Sequence, residues 1–269
     1  MYSIIMELTL SSCFYIFKSK FSAHTYIQWM NNFLSIVNNF NLVIYTDKES
    51  SSLINTNDNP RIKIVIKPIT EWYGYKYRKN WERNHARNHL LNNRIQWEVN
   101  MLWSEKVSFV YESYINNYFE TSLYGWCDIG YFRNRPNDLN TLKLYTFGKS
   151  TENLNKLKIN YACVNEKMIS HYLKRTEYFN GLPYPEIPHD QVTVAGGFFV
   201  LPKEHVEWWK NKYYTKLELY FENNKLIKDD QIIILSCILE SKKFFQIHLE
   251  RNREYDNWFM FQRLLQGNV

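Results

Sequence analysis

The chain has 269 residues, 45% hydrophobic and 17% aromatic, enough to bury a sizeable core and to exclude an intrinsically disordered chain. A formal charge of +6 and a pI near 8.9 suit an anionic ligand such as a nucleoside diphosphate, but equally nucleic acid or an anionic membrane surface, so charge selects no partner. Cys13, Cys127, Cys163 and Cys237 form no Cys-x-x-Cys pair, which argues against a zinc ribbon or disulfide scaffold and for a reducing compartment.

Residues 1–17 lack a basic leader, and no stretch reaches the roughly 18 apolar residues a spanning helix needs, so a cytoplasmic protein without a signal peptide or transmembrane segment is expected. A β-prone run at 13–17 precedes a helix whose face carries Ile27, Met30, Leu34 and Val37. Strands follow at 42–45 and 61–69, separated by a turn-prone stretch over 47–60. Residues 71–83 read as an aromatic, basic loop and 84–118 as long helices. A strand over 123–129 delivers Asp128 to a loop containing basic residues and proline at 133–138. Next come a strand at 159–164, a helix at 165–175, a Pro-rich loop at 181–189 and a strand at 192–201 interrupted by Gly196 and Gly197. Helices at 203–221 and 229–239, a strand at 244–249 and a terminal helix complete an α/β pattern without repeat or linker, expected to form one domain over residues 1–269.

Eight glycines form neither a dinucleotide fingerprint nor a P-loop, so a bound diphosphate needs another holder. A divalent cation on strand-end carboxylates is one solution. Asp128, charged within the aromatic run Tyr124-Gly125-Trp126-Cys127-Asp128-Ile129-Gly130, either binds such a metal, or caps a turn or pairs with Arg133. The glycine pair after Pro188-His189-Asp190-Gln191 allows close approach of a sugar ring, or marks a bulge. In Lys228-Asp229-Asp230-Gln231 one aspartate caps the following helix and the other is free for chemistry. His248 is either structural or a ligand.

The stretches Phe14-Tyr15-Ile16-Phe17-Lys18-Ser19-Lys20-Phe21, Leu102-Trp103-Ser104-Glu105-Lys106 and Trp126-Cys127-Asp128-Ile129-Gly130 resemble the HtrL/YibB-like family of glycosyltransferases, over most of residues 10–200. The resemblance implies a GT-A fold, a Rossmann-like domain with a mixed central sheet flanked by helices. It also implies a nucleotide-sugar donor, taken as a UDP-sugar, and Mn²⁺ or Mg²⁺. Trp-x-Asp-x-Gly stands where GT-A enzymes carry Asp-x-Asp, so Asp128 becomes the metal ligand, while Trp126 replaces the first aspartate.

The motif order is similar to that of glycogenin and lipopolysaccharide galactosyltransferases, which adds Gly196 and Gly197 as the sugar loop, Asp230 and Gln231 as the catalytic pair, and His248 as a second metal ligand. The glycine and lysine that usually follow that histidine are missing. Lys18, Ser19, Thr46 and Asp47 are placed near base and ribose, Lys106 and Trp126 with the donor, and Asp190 with the catalytic set. The metal then stabilises the departing nucleoside diphosphate. Asp230 is the general base if the reaction inverts; Asp230 or Gln231 steadies the sugar cation if it retains, the course favoured by analogy. The acceptor is a glycan or a protein- or lipid-linked hydroxyl, with no nucleic acid involved. The alternatives are a nucleic-acid-binding protein, suggested by the aromatic and basic stretch 72–94, and an inactive carbohydrate-binding descendant of the fold.

Overall fold

In a computed structural model, which describes residues 7–136, 138–139 and 141–266, the chain begins with a strand buried along its whole length, β1 (Leu8–Phe14). The expectations for the leaderless start and for one domain fall partly on residues 1–6, 137, 140 and 267–269, which lie outside the described residues. Strand β1 starts five residues before the apolar run that announces it, because its polar side chains find partners inside the core. Ser11 Oγ lies 2.8 Å from Ser113 Oγ, and Thr121 Oγ1 donates to Thr9 Oγ1 at 3.0 Å.

The remaining strands are β2 (Asn41–Thr46), β3 (Ile62–Ile66), β4 (Leu123–Cys127), β5 (Ile159–Cys163), β6 (Glu177–Phe179), β7 (Leu182–Tyr184), β8 (Val194–Pro202) and β9 (Phe245–Leu249). The helices are α1 (Ala23–Leu34), α2 (Lys48–Ser51), α3 (Arg78–Arg87), α4 (Trp97–Ile115), α5 (Thr141–Leu144), α6 (Glu166–Arg175), α7 (Val206–Glu222), α8 (Asp230–Glu240) and α9 (Phe261–Leu264). Seven strands form one mixed sheet in the order β3-β2-β1-β4-β8-β5-β9, parallel except for β8, which runs antiparallel to both β4 and β5. The chain leaves β1 outward to β2 and β3, then returns through α3 and α4 to β4 on the other side of β1. The order therefore reverses between β1 and β4, and a crevice opens beyond their carboxyl ends.

Alternate side chains of β8 serve two cores. Phe199 and Leu201 join Trp81, Phe109, Trp126, Trp209 and Tyr213 on the face covered by α4, α7 and α8. Phe198 and Val200 join Phe33, Phe132, Phe147 and Phe261 on the face covered by α1 and the C-terminal segment.

Several boundaries differ from the pattern-based expectation. The loop expected over 71–83 contains a 3₁₀ turn at Tyr73–Tyr77 and the start of α3, and the helical region over 84–118 breaks between α3 and α4. The terminal helix is a single turn. The hairpin β6–β7 replaces the start of the expected Pro-rich loop; its turn uses Asn180 at φ 49° and Gly181 at φ 76°, an Asn-Gly pair suited to a tight hairpin. No helix among the described residues is long and apolar enough to cross a membrane.

Gly125 lies where β1, β4 and β8 meet, in register with Leu10 and Val200. A Cβ there would collide with the carbonyl oxygen of Phe199 and approach Leu10 Cδ2 to 3.0 Å. Gly125→Ala is expected to cost on the order of 2 kcal/mol through strand displacement, read from urea denaturation. An unchanged midpoint would show that the sheet absorbs a methyl group at this crossing.

Candidate functional site

Helix α4 presents Val99, Leu102, Trp103 and Lys106 to the crevice, a stripe at three- and four-residue spacing. Lys106 is 5% exposed. Its Nζ stands 3.0 Å from Asp128 Oδ1 and 3.1 Å from Asp230 Oδ2, and donates to Gly196 O at 2.9 Å, so the three protons of the ammonium have three partners. Burial alone would lower the Lys106 pKa, but Asp128 and Asp230 outweigh it and the pKa is raised. Burial pushes Asp230 up to about 7, with Asp229 and Asp128 adding to the shift and Lys106 opposing it.

The two carboxylates are not equivalent, because the Asp128 side chain is 40% exposed and that of Asp230 only 5%. Asp128 follows directly on β4. Its backbone N–H donates to Gly197 O at 2.8 Å, and Trp126 Nε1 donates to its Oδ1 at 2.6 Å. Trp126 thus orients Asp128 by hydrogen bonding. Asp229 is the cap of α8, accepting from Gln231 N at 3.2 Å and pairing with Lys228 at 3.2 Å, which leaves Asp230 inside the first turn and facing Lys106.

The glycine pair, expected to make room for a sugar ring, makes room for these carboxylates. A Cβ on Gly196 would stand 2.8 Å from Asp230 Oδ2, and one on Gly197 would stand 3.1 Å from Asp128 Oδ2.

Two cavities meet at this cluster. One, about 100 Å³, is an aromatic slot walled by Tyr15, Phe17, Tyr26, Trp103 and Trp126. The other, about 330 Å³, is a polar bowl with Lys20, Arg133, Arg135, Asp229, Gln231 and Asp256 on its walls. Lys106, Asp128 and Arg133 line both. Gln231 contributes a buried Oε1 that has no hydrogen-bond partner among the described residues.

Of the residues expected near the donor, Ser19, Lys106, Trp126, Gly196 and Gly197 line one cavity or the other. Lys18, Thr46 and Asp47 line neither. Asp47 caps α2 by accepting from Ser50 N at 2.6 Å, and Thr46 Oγ1 donates to Phe14 O at 2.6 Å, so their polar groups serve the backbone. Asp190, expected in the catalytic set, is exposed on the loop before β8 and lines neither cavity. The bowl also takes Arg133, which the sequence offered only as a partner of Asp128, and Asp256 and Trp258, which no motif in the sequence singled out.

The expected pair of metal ligands does not assemble. His248 lines neither cavity; its Nε2 donates to Asn160 Oδ1 at 2.8 Å, and burial lowers its pKa to about 4. No three His, Cys, Asp or Glu side chains gather as a metal-binding group among the described residues. The position between Asp128 and Asp230, where a shared divalent ion would sit, belongs to the Lys106 ammonium. The donor set therefore does not fit Mn²⁺ or Mg²⁺ held by Asp128 and His248.

No protein-family model matches the chain, and comparison with curated proteins finds no match. The resemblance to HtrL/YibB-like proteins thus rests on the quoted stretches themselves. All three line the cleft: Tyr15, Phe17, Ser19 and Lys20 come from the first, Trp103 and Lys106 from the second, Trp126 and Asp128 from the third.

Removing Lys106 leaves two carboxylates facing each other, one of them buried. Lys106→Met is expected to cost about 3–5 kcal/mol at pH 8. Unfolded, the Asp230 carboxyl releases its proton near 3.8, whereas folded it holds the proton to about 7. The folded state therefore binds more protons between these values and loses stability as pH rises through them. Loss of the lysine pushes that carboxyl higher still, so the deficit of the variant relative to wild type should shrink at pH 5. Urea midpoints of both proteins at pH 5 and pH 8 measure it; a deficit independent of pH would show that the lysine acts by packing alone.

Proposed function

We propose that this cleft transfers a sugar from a nucleotide-sugar donor, a UDP-sugar, to a hydroxyl of a glycan or another acceptor. The observation that carries the reading is the joining of an aromatic slot to a polar bowl at one exposed carboxylate, Asp128, beyond the strands where the sheet order reverses. A flat base fits the slot between side chains such as Trp103 and Tyr15, and a sugar fits the bowl, where the unpartnered Gln231 Oε1 accepts from a hydroxyl. In this reading Asp128 is the carboxylate that meets the reacting sugar or the acceptor hydroxyl. Buried Asp230 is a positioning residue that holds Lys106, and through it Asp128. The mixed sheet with β8 reversed between β4 and β5 supports a GT-A-like architecture for the domain.

A binding-only reading is favoured by one feature, the pairing of both carboxylates with Lys106. It differs from transfer in that nucleotide is bound but never released from its sugar.

A thermal-shift panel of UDP-sugars, other nucleotide sugars and a single-stranded oligonucleotide tests the substrate class. At a hundredfold excess over Kd the right donor adds about 2.7 kcal/mol, hence a rise of several degrees in Tm. A shift with the oligonucleotide and none with nucleotide sugars would sink the proposal. Asp128→Asn keeps the shape and removes the charge; nucleotide release should fall about a hundredfold or more with little change in Tm. Undiminished release would take Asp128 out of the chemistry, and no release by wild type with any donor bound would favour the binding-only reading.

A further inference from the structure

Four of the cleft carboxylates are matched to cations of the protein. Asp229 pairs with Lys228 at 3.2 Å, Asp256 with Arg135 at 2.8 Å, and Asp128 and Asp230 share Lys106. Two cations on the bowl remain. Among the described residues, neither Arg133 nor Lys20 has a carboxylate oxygen within 4.0 Å. Both are instead held against aromatic faces. The Arg133 guanidinium carbon lies 4.3 Å from the ring centre of Trp29, 5.2 Å from that of Phe259 and 5.4 Å from that of Phe21, and Lys20 Nζ lies 4.6 Å from that of Trp103.

The only hydrogen bond of Arg133 among the described residues runs from Nε to Gly130 O at 2.7 Å, which fixes the plane of the fork and leaves both terminal NH₂ groups for a ligand. Burial lowers the pKa of Arg133, and Asp128 offsets this only in part.

From this placement we infer that Arg133 and Lys20 bind the diphosphate of the donor directly, so that nucleoside diphosphate binding does not require a divalent cation. The inference rests on the nucleotide-sugar reading of the cleft. Arg133 lines both cavities and so stands where a ligand passes from the slot to the bowl, the place a diphosphate occupies between nucleoside and sugar. A planar, immobilised fork matches phosphate oxygens in pairs, and Lys20 adds a point charge from another wall. Lys106 cannot serve in their place, because its three protons are committed to Asp128, Asp230 and Gly196. These two side chains thereby neutralise the anion that a metal ion was expected to neutralise.

The test is titration calorimetry of the whole chain with UDP and with inorganic pyrophosphate, each in EDTA and in Mn²⁺. The expected result is UDP binding in EDTA within about threefold of that in Mn²⁺, weakening as salt rises. Arg133→Met and Lys20→Met should each weaken UDP and pyrophosphate by about tenfold to a hundredfold, with Arg133→Lys recovering part of the loss. UDP binding that appears only with Mn²⁺, or variants that bind as wild type does, overturns the inference and leaves the nucleotide reading standing. Pyrophosphate binding in EDTA that UDP does not exceed supports the anion site and removes the nucleotide. Binding of neither ligand under any condition overturns both. The Tm of each unliganded variant guards against misfolding; should Arg133→Met fail to fold, Lys20→Met, at an exposed position, decides by the same outcomes.

Discussion

The cleft is organised by one buried ammonium group. An amine enclosed by protein is costly unless every proton and the charge itself are answered, and Lys106 is answered from three directions: the end of β4, the start of α8 and the backbone of β8. Each partner is shaped by that demand. Strand β8 carries glycine at two successive positions because the carboxylates lie against it, and α8 begins with two aspartates because one caps the helix while the other meets the lysine. The exposed face of Asp128 is what remains for a ligand.

The residues just before Lys106 show how firmly its helix is held. Glu105, also buried, accepts from the backbone of Tyr73 at 2.7 Å and of Gly74 at 2.8 Å, and from Tyr214 Oη at 3.1 Å. Burial pushes its carboxyl up to about 7 against the pull of those donors. Ser104 accepts from Tyr213 Oη at 2.9 Å. Neighbouring positions on α4 thus fasten it to the 73–77 turn and to α7, and the rotation of the helix that aims Lys106 at the cleft is fixed by polar contacts on its other side.

The alternation of apolar strands with amphipathic helices, and so the α/β class, was legible in the sequence because each signal is local. The order of the strands was not, since nothing within Val194–Pro202 says that it inserts reversed between β4 and β5. Strand β1 was half hidden, its polar residues being satisfied only by Ser113 and Thr121 far along the chain. At the site, Asp128 stood out as a charge in an apolar run, and Asp230 as a surplus carboxylate at a capping position. Lys106 was marked only by resemblance, for a lysine in a long helix carries no local sign of burial. Asp190 and Asp47 misled because a carboxylate beside a strand looks the same whether it meets a ligand, caps a helix or points to solvent. Arg133 and Lys20 draw their significance from aromatic rings on other elements, which no local pattern encodes.

The contacts of Lys106 also bear on how the chain reaches its native state. The bond to Gly196 spans 90 residues, and Asp230 lies farther along still, so neither of these two contacts can form from local structure. They close only after the sheet has inserted its reversed strand and α8 has docked on it. The cleft is therefore complete only when all four elements, α4, β4, β8 and α8, are in place. Ligand binding at this place reports on the integrity of the whole sheet, and a bound ligand resists opening of segments that never touch it.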